Sequence, residues 1–179
     1  MRRILLLCLA FLVILCACGT EEWQNLRQFC EEFSRFASET GSLAQIEPGQ
    51  FFAHRSDDGT LYQAYLGDSL LLECAALRSN RVHSVTLTGL PEQSGSAFFE
   101  AARCALQAYT GAPPDQAERW LRQLRAGDSE VLGVLGFEDA GLRFSYAANG
   151  AGRWLRVSRL RFLPPEAEVP TLREWITED

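Results

Sequence analysis

The stretch QFFAHRSDDGTLYQAYLGDSLLLECAALRSNRVHSVTLT, residues 50–88, contains four runs suited to strands, at 50–56, 60–66, 69–78 and 81–88. Between them stand only Asp57-Asp58-Gly59, Gly67-Asp68 and Ser79-Asn80, turn-forming pieces of two or three residues. A parallel neighbour needs a crossover of about a dozen residues or more, so connections this short allow only adjacent antiparallel strands. The expectation is a four-stranded meander.

Helical spacing flanks the meander on both sides. Over residues 23–38, Leu26, Phe29, Cys30, Phe33, Phe36 and Ala37 recur at intervals of three and four, opposite Gln24, Gln28, Glu31, Glu32, Arg35 and Glu39, and Gly41-Ser42 ends the pattern. Downstream, Phe98, Ala101, Ala102, Ala105 and Tyr109 mark a helix from about Ser96 to Gly111, with Glu100, Arg103 and Gln107 on its polar side. After Pro113-Pro114, residues 115–125 make a shorter helix with Ala117, Trp120, Leu121 and Leu124 as its apolar stripe and Gly127 as its stop. Three further strands are expected at 130–137, 142–148 and 153–160, and the alternation of Leu142, Phe144 and Tyr146 with Arg143 and Ser145 is clear. Beyond Pro164-Pro165, Thr171-Leu172-Arg173-Glu174 has a capping-box pattern that would start one helical turn and dock Trp175 and Ile176 on the body.

The expected fold class is α+β, in the order α-β4-α-α-β3, with helices packed on one face of antiparallel sheet and a degenerate duplication of a helix-plus-meander unit. The arrangement is similar to the tandem repeats of the β-lactamase-inhibitor-protein-like fold. Hydrophobic residues make up 47% of the chain and charged residues 22%, a balance that supports a packed core and argues against disorder. The globular part is placed at 23–163, with lobes at 23–90 and 95–163, and an acidic tail at 164–179.

The first residues have the layout of an export signal: Met1-Arg2-Arg3, then an apolar run from Ile4 to Ala17. At about 1.5 Å per helical residue that run spans about 21 Å, short of the roughly 30 Å hydrocarbon core of a bilayer. The junction Leu15-Cys16-Ala17-Cys18-Gly19 resembles the bacterial lipobox. That resemblance implies cleavage after Ala17, a diacylglyceryl group on the Cys18 thiol, and a short tether at 18–22 holding the domain on the outer face of the membrane. Two acyl chains convert marginal membrane contact into durable anchoring. Gly19, in place of Asp, carries no inner-membrane retention signal, and the envelope type stays open.

Charge narrows the partners. The formal net charge is −6 and every basic side chain is Arg, a usage that fits a GC-rich coding sequence. Residues 119–161 hold eight Arg against four acids, whereas residues 162–179 hold five acids against one Arg. Nucleic-acid affinity rests on neutralising phosphates, so a net negative chain is a poor candidate for it.

The residues that could carry chemistry are few. His54 and His83 are the two histidines; they stand in no nucleophile or metal motif, although convergence with Asp57, Asp58 or Glu73 would make a metal set. Gly-x-Ser-x-Gly, Ser-x-x-Lys and phosphate-binding glycine loops do not occur. Cys30, Cys74 and Cys104 remain once Cys18 is lipidated; they read as small core hydrophobes, with one disulfide plus a free thiol as the alternative. On the last two strands, parity gives Trp154 and Arg156 a shared outer face. If Arg143 joins them, planar donors and an aromatic platform would face an anionic or carbohydrate-like envelope ligand or a partner protein's carboxylates. A solvated outer face balanced by the acidic tail is the alternative.

These observations lead to the expectation of a membrane-anchored extracytoplasmic lipoprotein with a non-enzymatic binding or scaffolding role, needing no cofactor and no metal. An envelope hydrolase using carboxylates such as Glu73 or Asp68 in a cleft is the second reading, for which paired acids some 5 to 9 Å apart would be required. A structural or inhibitor-like partner is the third; it predicts a large exposed apolar patch.

Overall fold

The meander consists of β1 (Phe52–Arg55), β2 (Gly59–Leu66), β3 (Leu70–Leu77) and β4 (Val82–Gly89), each paired antiparallel with the next. The computed structural model describes residues 24–41, 46–90, 95–128 and 130–162. The signal at 1–17, Cys18, the tether at 18–22 and the tail at 164–179 lie outside the described residues. Ahead of the meander stands α1 (Leu26–Thr40); after it come α2 (Gly95–Thr110), α3 (Pro114–Gln123), β5 (Leu135–Asp139), β6 (Leu142–Asn149) and β7 (Gly152–Arg159).

All seven strands join one antiparallel sheet in the order β1-β2-β3-β4-β7-β6-β5. The two meanders therefore meet at their last strands, with Val85 opposite Val157 and Leu87 opposite Leu155. Residues from both halves share one buried cluster, so the stretches 23–90 and 95–163 share a sheet and a core.

Local chemistry accounts for the element ends. Asn25 caps α1 by accepting from the Gln28 backbone N–H, while the Gln28 side chain accepts from the Asn25 N–H, a reciprocal box that satisfies two orphan donors. Gly41 closes the helix in the left-handed conformation at φ 65°, which glycine adopts without a Cβ penalty. The β5–β6 hairpin turns on Ala140 and Gly141, both at positive φ, as a two-residue connection requires when its twist must match the strands. Strand β5 starts five residues later than the periodicity suggests: Val131 N–H still donates to Ala148 of β6 at 3.0 Å, but Gly133 at φ 71° interrupts the pairing before the regular ladder begins at Leu135.

Packing fixes which side of the sheet meets the helices. Leu26, Phe29, Cys30, Phe33 and Ala37 of α1 join Leu72, Cys74, Leu87, Phe144, Tyr146, Leu155 and Val157 in the core. Burying one such large apolar side chain stabilises by about 1.5–3 kcal/mol. Trp120 of α3 lies 4.7 Å from the Phe144 ring, which stacks in turn on Phe137, and the Trp120 Nε1–H donates to Asp139 at 2.8 Å. This aromatic column clamps α3 over the β5–β6 hairpin. Helix α2 is buried on more than its expected stripe: Cys104, Leu106, Gln107 and Ala108 are all inside, because α1 and α3 pack on its two flanks.

Candidate functional site

The opposite face of the sheet carries a polar row whose members come from successive strands in register. Gln63 pairs with Glu73, Glu73 with Thr86, Thr86 with Arg156 and Arg156 with Ser145. Gln63 Nε2 donates to Glu73 Oε1 at 2.8 Å. Arg156 Nε donates to Ser84 Oγ at 3.1 Å, which leaves the Ser84 hydroxyl free to donate to Ser158 Oγ at 2.8 Å, since a guanidinium accepts nothing. Burial lowers the Arg156 pKa from its ordinary value, and the nearby Glu73 carboxylate acts against that shift. Arg143 shares this face, directly opposite Ser158, and pairs with Glu138 at 2.7 Å.

Arg143, Trp154 and Arg156 thus lie on one face, while Arg153 and Arg159, on the other parity, point into the helix layer over the rings of Phe98 and Tyr109. Trp154 is only 6% exposed, so it offers no open stacking platform. The exposed aromatics of this face are Phe52 and Tyr65, at 67% and 69%.

The structure separates most of the other residues singled out from sequence. His54 lies on edge strand β1 in the row of Leu61, Ala75 and Ser84, whereas His83 sits beside Ser84 at a β4 bulge, three strands and about 14 Å away at 4.8 Å per strand. Among the described residues no group of three His, Cys, Asp or Glu side chains is placed to hold a metal ion. Asp57, Asp58 and Asp68 are exposed in turns, and Glu73 is buried in mid-strand. Cys30, Cys74 and Cys104 are unbridged and buried; burial pushes the Cys30 thiol up to about 12 and raises Cys74 and Cys104 as well. Thiols held protonated in this way are inert core groups.

A recess of about 810 Å³ opens on the helix side, where α1, the end of α2, α3 and the β5–β6 turn converge on the end of β7. Its inner wall is polar. Gln107 is 3% exposed, yet its side-chain Nε2 finds no hydrogen-bond partner among the described residues, and the same holds for the buried side-chain Oε1 of Gln24. Each such orphan costs about 1–3 kcal/mol. Arg159 and Tyr109 stand beside them, and Glu31, Glu32 and Arg35 of α1 form the rim. Periodicity assigns Gln107 to a solvated side, so the sequence conceals this wall. The signal available was Gln107 as the lone polar residue of the run Cys104–Tyr109.

Neither Glu73 nor Asp68 lines this recess or the smaller one of about 350 Å³ beside Arg143 at the β5 edge. Among the described residues no helix is long and apolar enough to cross a membrane. No protein-family model, curated protein or solved structure matches this chain.

Proposed function

We propose that this chain is a lipid-anchored domain of the extracytoplasmic face with a non-enzymatic binding role. The address rests on Leu15-Cys16-Ala17-Cys18, with Cys18 as the acylated residue. The role rests on the recess, where donors, acceptors and both signs of charge from α1, α2 and β7 converge on a volume in the range of small-molecule sites. The sealed Gln24 Oε1 and Gln107 Nε2, which find no partner among the described residues, are what a ligand bearing its own amide or hydroxyl groups would satisfy. Pairing of the two meanders through their last strands supports an origin by duplication of a helix-plus-meander unit, with the recess where both units' helices meet the sheet end.

Binding is tested by thermal shift of the full chain against a panel of amino acids, short peptides and sugars. A ligand at a hundredfold excess over its Kd stabilises by about 2.7 kcal/mol. The expected result is an upward shift for one chemical class that Gln107→Leu abolishes without unfolding the protein. Silence across the panel, or a shift that survives Gln107→Leu, refutes the reading. Incorporation of an alkyne-tagged fatty acid in a lipidating host, lost in Cys18→Ala, tests the anchor.

A further inference from the structure

Two atoms in the recess lack partners, and they are of opposite kind. The sealed Gln24 Oε1 only accepts and the sealed Gln107 Nε2 only donates, and neither makes a hydrogen bond among the described residues. Both residues line the recess, so an entering group gains these atoms without breaking a bond that they already make. One acceptor and one donor together are the complement of a single amide, which brings one N–H and one C=O. Charge is split between two walls. On the β7 side the Arg159 guanidinium lies 5.7 Å from the centre of the Tyr109 ring, a planar fork of the kind that takes a carboxylate through parallel hydrogen bonds. On the α1 side stand Glu31 and Glu32. Arg35 engages Glu32 at 2.5 Å and Glu39 at 3.1 Å, which neutralises that cation at the rim. Glu31 pairs with Arg27 at 3.0 Å where both side chains are exposed, so the pair is worth little and yields to a competing cation.

We propose that the ligand of the recess is a short peptide with free ends, its ammonium toward Glu31, a backbone amide against Gln24 and Gln107, and its carboxylate on Arg159. This class rests on the binding role proposed for the recess and narrows it to one chemistry. A neutral sugar offers hydroxyls to the two glutamines but no charge to either wall. A free amino acid carries both charges but lacks the amide. A peptide capped at either end leaves one charged group of the protein unanswered, and such a gap is what a polar site discriminates against. Size agrees: a space of about 810 Å³ is roughly 9 Å on a side, and three extended residues span about 10 Å at about 3.3 Å each. The groups of this chain address the termini and the backbone of the peptide, so recognition depends on length and free ends more than on side-chain identity.

The test is isothermal titration of the full chain with trialanine, its N-acetyl and C-terminal amide forms, free alanine and a neutral disaccharide. Trialanine is expected to bind, and either cap to weaken binding about tenfold or more, the scale of one charge-assisted hydrogen bond. In Arg159→Gln the penalty for the C-terminal amide is expected to vanish, and in Glu31→Gln the penalty for N-acetylation, while Arg159→Lys keeps part of the first. The cap comparison needs no variant and stands even where a substitution unfolds the chain. Caps that cost nothing overturn the peptide assignment, as do cap penalties unchanged in folded Arg159→Gln and Glu31→Gln. Binding of alanine or the disaccharide without trialanine, lost in Gln107→Leu, removes the peptide and keeps the recess as a binding site. Silence with every probe removes both.

Discussion

His83 occupies the β4 bulge, where desolvation, and secondarily the charge of Arg156, lower its pKa from the ordinary 6.5. Its protonation therefore favours the unfolded chain. The stability tied to neutral His83 is fully present above about pH 6.5 and is lost as pH falls through the folded-state value. Urea denaturation at pH 8 and pH 5 is expected to show a decline on acidification that His83→Gln flattens; an equal decline in the variant would remove His83 as its source. Sequence made His83 visible only as one of two histidines, because a bulge depends on pairing with Ala75 and Ala76 that no local pattern records. Gln107 was hidden for the same kind of reason. Its neighbours in the chain predict a solvated side, and only the packing of α1 and α3 against α2 encloses it.

At the scale of elements, the apolar stripe of α1 was legible in the spacing of its phenylalanines, whereas the periodicity started the helix at 23 and only the structure shows the reciprocal cap of Asn25 and Gln28. Asn25→Ala removes one side of that cap and is expected to cost about 1 kcal/mol, measured as a lower urea midpoint with an unchanged slope. A change below 0.2 kcal/mol would show that the Asn25↔Arg81 bridge, and not the cap, fixes the entry to the helix. The meander was readable because turn length dictates antiparallel neighbours. The late start of β5 was not, since residues 130–134 carry strand-like side chains while Gly133 sets the backbone.

In the whole molecule, β4 and β7 form a seam between stretches that are separated in sequence by two helices. Leu155 packs at that seam opposite Leu87, and Leu155→Ala is expected to destabilise both meanders together by about 2–5 kcal/mol. Hydrogen exchange in urea, followed on peptides from 52–66 and 135–149, should show one shared transition. Two separate midpoints would mean that the halves fold as independent lobes.

Chain chemistry alone determined the element types, the hairpin partners and the faces of the strands, because turn length and side-chain period are local quantities. Tertiary structure decided how the two meanders join, that Trp154 is buried beside Arg156, and that Gln24, Gln107, Tyr109 and Arg159 meet at one recess. Those facts depend on contacts between residues far apart in the chain, whose free energy is set by which surfaces pack and not by the order in which residues occur.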